Sequence, residues 1–343
     1  MKRMRSLALA IGLGALFLTG CTTGSADTAQ DTGSGSTTKA DADAFPTTIE
    51  HAFGATTIEA EPQRVATIGY VDQDMAVSLG VVPVGATKIT YGGNAGGSTD
   101  FFDAAVEKLG GEAPTRYDDT DGISFAEIAK LQPDLILAVN SGLTKADYDK
   151  LTKIAPVVAF PGVAYLTPWR TTLETAGKAL GRSGEAAKVL EETEDELAAA
   201  KEKYADLQGK SLMWTYLSSK DLSTVGVYGP KDTRVAGFRD LGFVDPPAVT
   251  SAVKDSEFYA AVSGEKAGDL ESDLMFAFID PDTEISTYAE NPLLGKIPAL
   301  ADGRTYATSD EVIGEIVTNP SPLTFPIIID KVLPELDAAL QGS

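Results

Sequence analysis

Two stretches of this chain repeat one pattern. KLQPDLILAV (130 to 139) and DLESDLMFAF (269 to 278) both carry Leu-x-x-Asp-Leu followed by an unbroken apolar run. An apolar run without alternation reads as a strand buried on both faces, the habit of parallel sheets covered by helices. A short helical pattern precedes each run. Two α/β lobes of related topology are the simplest account; coincidence between two βα units is the other.

The same alternation runs through most of the chain. Residues 64 to 86 read as strand, helix, strand, with Asp72 as N-cap and Gly80 as stop. A helix near 144 to 154 leads to a strand at 157 to 160. Residues 167 to 180 form a helix capped by Thr167, with Pro168 at its first position and Gly181 beyond its end. A charged helix follows at 183 to 207. Strands are expected at 211 to 216, 224 to 228, 273 to 279 and 305 to 307, and a last helix at 322 to 340.

The N-terminus is built differently. Lys2, Arg3 and Arg5 precede fourteen almost wholly apolar residues, 7 to 20. As a helix these span about 21 Å, short of a hydrocarbon core of roughly 30 Å. A basic segment, a short apolar segment and small residues before a cut site make a signal peptide. Cys21 is the single cysteine of 343 residues, so no intramolecular disulfide supports the fold. Residues 22 to 44 contain no large apolar side chain and read as a flexible tether. Roughly 300 residues remain, enough for two domains.

Charge narrows the ligands. Without the three basic residues of the signal segment, 25 Lys and Arg face 50 Asp and Glu, a formal charge of −25. That argues against nucleic acid and anionic lipid head groups, and it repels anionic ligands at long range. A site for an anion must place arginines locally. A soluble, self-repelling surface is the plainer meaning of the acidity.

The order of several loose motifs resembles one family. Pro62-x-Arg64-Val65 is followed by Asp74-x-x-x-Ser78-Leu79-Gly80-Val81-x-Pro83-Val84-Gly85. Then come Ile128-Ala129-x-Leu131-x-Pro133-Asp134-Leu135-Ile136, Tyr148-x-x-Leu151-x-x-Ile154-Ala155-Pro156-Val157, Trp169-Arg170, Gly177-x-Ala179-Leu180-Gly181-Arg182 and Leu241-Gly242-Phe243. Across residues 60 to 340 this is similar to the substrate-binding proteins of ABC transporters for ferric siderophores, haem and cobalamin. Leu18-Thr19-Gly20-Cys21 resembles the bacterial lipobox, which implies that Cys21 is lipidated and holds the protein on the outer face of the membrane.

The resemblance implies two α/β lobes, each a mostly parallel sheet with flanking helices, joined by a single long helix. The divisions are 1–20 signal peptide, 21–44 lipidated Cys and tether, 45–165 N-terminal lobe, 166–182 connecting helix and 183–343 C-terminal lobe. It also implies a monomer that hands a ferric siderophore to a permease and its ATPase, with no cofactor and no metal ligated by the protein.

Ligand residues are expected in loops after the carboxyl ends of strands, as aromatics against the chelate and arginines to its oxygens. That selects Tyr91, Asn140, Ser141, Trp169, Arg170, Tyr216, Tyr228 and Arg234. Arg116 and Tyr117 are secondary candidates. Plainer alternatives are a loop anchor for Tyr91, an interface cap for Trp169 and surface ion pairs for Arg170 and Arg234. Trp214 alternates with Leu212 in a strand and reads as core. For permease docking the resemblance implies a glutamate on each lobe. Glu265 lies eight residues before Asp273, and Glu127 lies one residue late of the matching position before Asp134, which Ala126 occupies.

Other classes find little support. His51 is the single histidine and lies near the tether, so a Ser-His-Asp hydrolase would have to bring it to a cleft. Neither Gly-x-Ser-x-Gly nor a phosphate-binding loop occurs. Direct capture of zinc or manganese usually needs several histidines. The alternative within the same transport role is haem or a corrinoid, with Tyr91 or Tyr228 available to haem iron.

Overall fold

A computed structural model describes residues 36–254 and 257–342. The signal segment, Cys21 and residues 22 to 35 lie outside the described residues. An antiparallel hairpin of β1 (Thr47–His51) and β2 (Gly54–Ile58) opens the fold.

The first lobe alternates β3 (Val65–Thr67), α1 (Asp72–Ser78), β4 (Gly85–Thr87), α2 (Asp100–Lys108), β5 (Thr115–Tyr117), α3 (Phe125–Lys130), β6 (Leu135–Ala138), α4 (Lys145–Leu151) and β7 (Val157–Ala159). Its sheet is wholly parallel, in the order β5-β4-β3-β6-β7. Every residue of β6 is buried, as its unbroken apolar run requires.

Two helices lead to the second lobe. α5 (Trp169–Leu180) packs on α1 and β1; α6 (Ser183–Lys203) packs on the second-lobe helix Phe325–Lys331. Gly181 makes the corner between them at φ +67°, in the left-handed region that glycine enters without a Cβ penalty.

The second lobe holds β8 (Leu212–Ser218), β9 (Asp221–Tyr228), α7 (Thr233–Asp240), α8 (Pro247–Ala252), β10 (Tyr259–Ser263), β11 (Leu274–Ile279), α9 (Ile285–Ala289), α10 (Pro298–Ala301), β12 (Thr305–Thr308), α11 (Glu311–Thr318), α12 (Phe325–Lys331) and α13 (Leu333–Gln341). Its sheet order is β10-β9-β8-β11-β12. β8, β11 and β12 are parallel, while β9 is antiparallel to β8 and to β10. The link from β8 to β9 is too short for a crossover, so these strands fold as a hairpin.

Four local expectations need correction. Val71, not Asp72, is the N-cap of α1; Asp72 is buried, and its Oδ1 accepts the Asn140 N–H at 3.2 Å. Thr167 does not cap α5, because Pro168 at ψ 147° holds that junction extended; the Thr167 hydroxyl donates to the Val139 carbonyl at 2.7 Å. The last helix is two, α12 and α13, with Pro334 in the first turn of the second, where its missing N–H costs nothing. Residues 36 to 44 are not free tether. The buried Arg182 guanidinium donates to Ser36 Oγ at 3.1 Å and Thr38 Oγ1 at 2.8 Å, and the Asp41 N–H donates to the Gly181 carbonyl at 2.8 Å.

Candidate functional site

Loops from both lobes meet over two adjoining cavities. The first, about 340 Å³, takes Tyr70, Tyr91, Asn140 and Tyr165 from loops that follow β3, β4, β6 and β7. From the second lobe it takes Asp232, Arg234, Phe258 and Glu315. The second cavity, about 410 Å³, takes Trp214, Tyr216, Tyr228, Phe278 and Asp280, and shares Tyr91, Arg234 and Thr318 with the first. Each volume lies within the range of small-molecule sites. Of the seven exposed large hydrophobic residues among those described, Tyr70, Tyr91, Tyr165 and Phe258 line the first cavity. Concentrated aromatic exposure at a concave surface marks a binding site.

Tyr91 stands between the cavities. Its ring meets Phe278 edge to face at 5.9 Å. The loop beneath it presses on α11: a Cβ on Gly92 would meet Glu311 backbone, and one on Gly314 would meet the Tyr91 hydroxyl. Tyr165 holds a left-handed φ of +62°, uncommon for a bulky residue. Its N–H donates to the Ser141 carbonyl at 3.1 Å, and its ring lies where a Cβ on Gly142 would stand. Strain of this kind persists where the surroundings over-determine it, as they do around ligand sites.

Arg234 crosses from one cavity to the other. Its Nη1 donates to Asp232 Oδ2 at 3.0 Å and its Nε to Thr318 Oγ1 at 3.2 Å. The guanidinium lies 4.1 Å from the Tyr228 ring centroid and 5.5 Å from that of Trp214. Trp214 is 4 % exposed, stacks on Phe276 and has no hydrogen-bond partner for Nε1, yet it lines the second cavity. It is core on one side and cleft wall on the other.

Acids surround this single pair. The Tyr216 hydroxyl donates to Asp280 Oδ1 at 2.7 Å, while Asp280 Oδ2 accepts from the Ser218 and Ser219 hydroxyls and the Ser219 N–H. These donors, Tyr216 first, hold the Asp280 carboxyl down at about 2. Deeper in, burial pushes Glu315 up to about 7. Burial pushes Asp72 up to about 7 and Asp74 up to about 8, the latter with added repulsion from Glu315 and Asp72. Asp74 Oδ2 accepts from the Ser321 hydroxyl at 3.1 Å, a hydrogen bond between the two lobes.

The residues selected from sequence divide accordingly. Tyr91, Asn140, Tyr216, Tyr228 and Arg234 line the cavities. Ser141 does not: it is buried, and its hydroxyl donates to the Ala138 carbonyl at 2.9 Å to close the turn after β6. Trp169 is 3 % exposed, meets Phe325 edge to face and donates from Nε1 to Asp240 Oδ2 at 2.7 Å. Arg170 lies over the Trp169 ring and pairs with Asp240 at 2.7 Å and Glu194 at 2.9 Å. These two brace α5 against α6 and α7. Arg116 hydrogen-bonds Gln73, Ser98 and the Thr87 carbonyl, and Tyr117 is core, its hydroxyl donating to the Thr67 carbonyl.

His51 is buried in the hairpin against Phe53 and Tyr148. Its Nδ1 accepts the Phe53 N–H, so Nε2 carries the proton and donates to Thr56 Oγ1 at 2.9 Å. Glu265 is exposed on a 3₁₀ turn, Gly264–Asp269, and Glu127 is exposed in the first turn of α3.

Tyr70, Tyr165, Phe258, Phe278 and Glu315 also line the cavities, beyond the residues that the sequence points to. The strand-end rule reaches Tyr70, three residues beyond β3. Glu315 belongs to a late helix, and only the fold brings it under the cleft.

The fold and cleft are those of a two-lobed solute-binding protein whose ligand space lies beyond the carboxyl ends of the first sheet's strands and against β8, β9 and β11 of the second. The chain belongs to the periplasmic binding protein family, whose model matches residues 69–312. It is similar to PiaA of Streptococcus pneumoniae TIGR4, solved in complex with ferrichrome, with 33% identity and a TM-score of 0.81 over 86% of this chain and 99% of that one. SirA of Staphylococcus aureus, solved with staphyloferrin B, matches with 25% identity and a TM-score of 0.68 over 84% and 98% of the two chains. The probable siderophore-binding lipoprotein YfiY of Bacillus subtilis is 24% identical over 67% of this chain and 68% of its own.

Proposed function

We propose that this protein is an extracytoplasmic solute-binding protein that captures a ferric siderophore in the inter-lobe cleft and delivers it to an ABC permease for iron uptake. The observation that carries this reading is the aromatic-walled pair of cavities formed jointly by strand-end loops of the first lobe and by strands, loops and helices of the second. A coordinatively complete iron chelate offers a broad surface for rings and needs no ligand atom from the protein. The likeness to PiaA and SirA supports it.

The ligand set in this reading is Tyr91, Asn140, Tyr216, Tyr228 and Arg234, with Tyr70, Tyr165 and Phe258 added. Signal cleavage before Cys21 and lipidation of Cys21 would anchor a monomer to the membrane, with the lobes divided near 165 and 182. Glu265 and Glu127 are the residues proposed to meet the permease. The haem alternative gains nothing from His51, which is not among the residues lining either cavity.

Fluorescence titration against ferric siderophores, haem and cobalamin tests this. Trp214 lines the second cavity and Trp169 lies outside both. Saturable quenching by a ferric siderophore is expected, lost in Trp214→Phe and retained in Trp169→Phe. Quenching by haem or cobalamin alone overturns the reading.

A further inference from the structure

We infer that the ferric chelate this cleft accepts is neutral or cationic, of the tris-hydroxamate type, and not a polyanion of the tris-catecholate type. The inference rests on the siderophore reading above and assigns its chemical class. Three singly charged hydroxamates cancel the charge of Fe(III). Three doubly charged catecholates leave a trianion.

Among the described residues that line the two cavities, Arg234 is the single basic one. Its charge is already met by Asp232 at 3.0 Å, and the faces of Tyr228 and Trp214 flank it. Arg170, the other arginine that an anionic ligand would have called for, is held by Asp240 and Glu194 away from the cavities. Arg116 is engaged with Gln73 and Ser98 and lines neither.

Acids stand where those cations would be needed. Asp280 and Glu311 line the second cavity, and Glu315 and Asp232 line the first. Asp280 is fixed as a carboxylate by its hydroxyl and amide donors. Buried charge is tolerated when paired and costly when it is not. A trianion entering here would give up water, find one neutralised cation and face at least one unpaired carboxylate. The chain's formal charge of −22 adds repulsion at long range. A neutral chelate meets none of these costs and keeps the whole benefit of the aromatic walls. A pendant ammonium would find Glu311 or Asp280.

The test uses the purified full chain in detergent solution and four probes: ferrichrome, ferrioxamine B, ferric enterobactin and ferric citrate. Dissociation constants come from intrinsic fluorescence at low salt and at about 0.5 M NaCl. The expected result is that ferrichrome or ferrioxamine B binds at least ~100-fold more tightly than ferric enterobactin. Salt should then narrow that gap, and Glu311→Lys should tighten enterobactin binding by ~10-fold.

Enterobactin binding as tightly as the hydroxamates overturns the inference and leaves the siderophore reading standing. A preference that neither salt nor Glu311→Lys moves also overturns it, since exclusion would then be by shape. Binding of citrate alone overturns it as well. Failure of every ferric probe overturns the siderophore reading and this inference together.

Discussion

Asp134 and Asp273 hold the same place in their two sheets. Asp134 immediately precedes β6, and its carboxylate accepts the N–H groups of Gln63 at 2.7 Å and Arg64 at 2.8 Å, at the entry to β3. Asp273 immediately precedes β11, and its Oδ2 accepts the Ser211 N–H at 2.8 Å and the Ser211 hydroxyl at 2.7 Å, at the entry to β8. In each lobe the carboxylate locks two parallel strands in register where they begin, with Val65 opposite Leu135 and Leu212 opposite Leu274.

Replacing either aspartate with alanine should therefore cost ~1–2 kcal/mol, read as a lower denaturation midpoint. Asp273 adds a pH signature. The Ser211 N–H, and then its hydroxyl, hold its carboxyl below the usual 3.8. A lowered folded value contributes stability above the unfolded value and loses it as pH falls through the folded one. The gap between wild type and Asp273→Ala should thus narrow as pH falls below 3.8 and through the lowered folded value. A gap that persists there would mean that packing, not the ionised carboxylate, supplies it.

Much of this was legible in the sequence. Both aspartates stand in the echo that exposed the two lobes, because a buried parallel strand needs an unbroken apolar run. Strand-end loops brought Tyr91 and Asn140 to the cavities, while Tyr216 and Tyr228 reach them from within β8 and β9 and Arg234 from the first turn of α7. The same rule failed for Ser141, Trp169 and Arg170, since it finds a loop and not the direction of a side chain. Trp169 and Arg170 turn toward α7, where Asp240 holds both. Glu315 carried no signal, because its position depends on how the last helices return beneath the first lobe.

Arg182 fastens the segment before the hairpin. It is 2 % exposed and donates to Glu61 at 2.7 Å, to Ser36 and Thr38, and to the Leu180 carbonyl. Arg182→Met keeps the stem and strands those acceptors. The expected loss is ~2–4 kcal/mol, with faster proteolysis within residues 36 to 44. Unchanged cleavage there would show that the segment holds without the guanidinium.

Asp74 makes the opposite contribution to stability. Burial is the main reason its carboxyl is pushed up to about 8, against an ordinary 3.8. A raised carboxyl costs nothing below the unfolded value. As pH rises through that value the unfolded chain ionises and the folded one does not, so stability falls until the folded value is reached. Asp74→Asn imitates the protonated acid and keeps an oxygen for the Ser321 hydroxyl. It should stabilise the protein at pH 7 by up to ~4 kcal/mol and leave it unchanged near pH 3. Thermal melts at the two pH values check this; equal effects at both would remove the ionisation argument.

Gly314 separates binding from stability at Tyr91. It lies in α11, where alanine is favoured over glycine by about 1 kcal/mol. A Cβ there would displace the Tyr91 hydroxyl and stand 2.9 Å from Phe278 Cε2. Tyr91 is 40 % exposed and its ring can turn toward solvent, Phe278 must give by a few tenths of an ångström, and the partition between the two cavities then shifts. Gly314→Ala should move the melting temperature by only a few degrees, since the helix gain of about 1 kcal/mol offsets the crowding at Phe278, while weakening ferric-chelate binding by ~10-fold or more; Tyr91→Phe, which removes the nearest crowded atom, should restore part of it in the double variant. If Gly314→Ala binds as wild type does, the placement of Tyr91 does not govern the cleft.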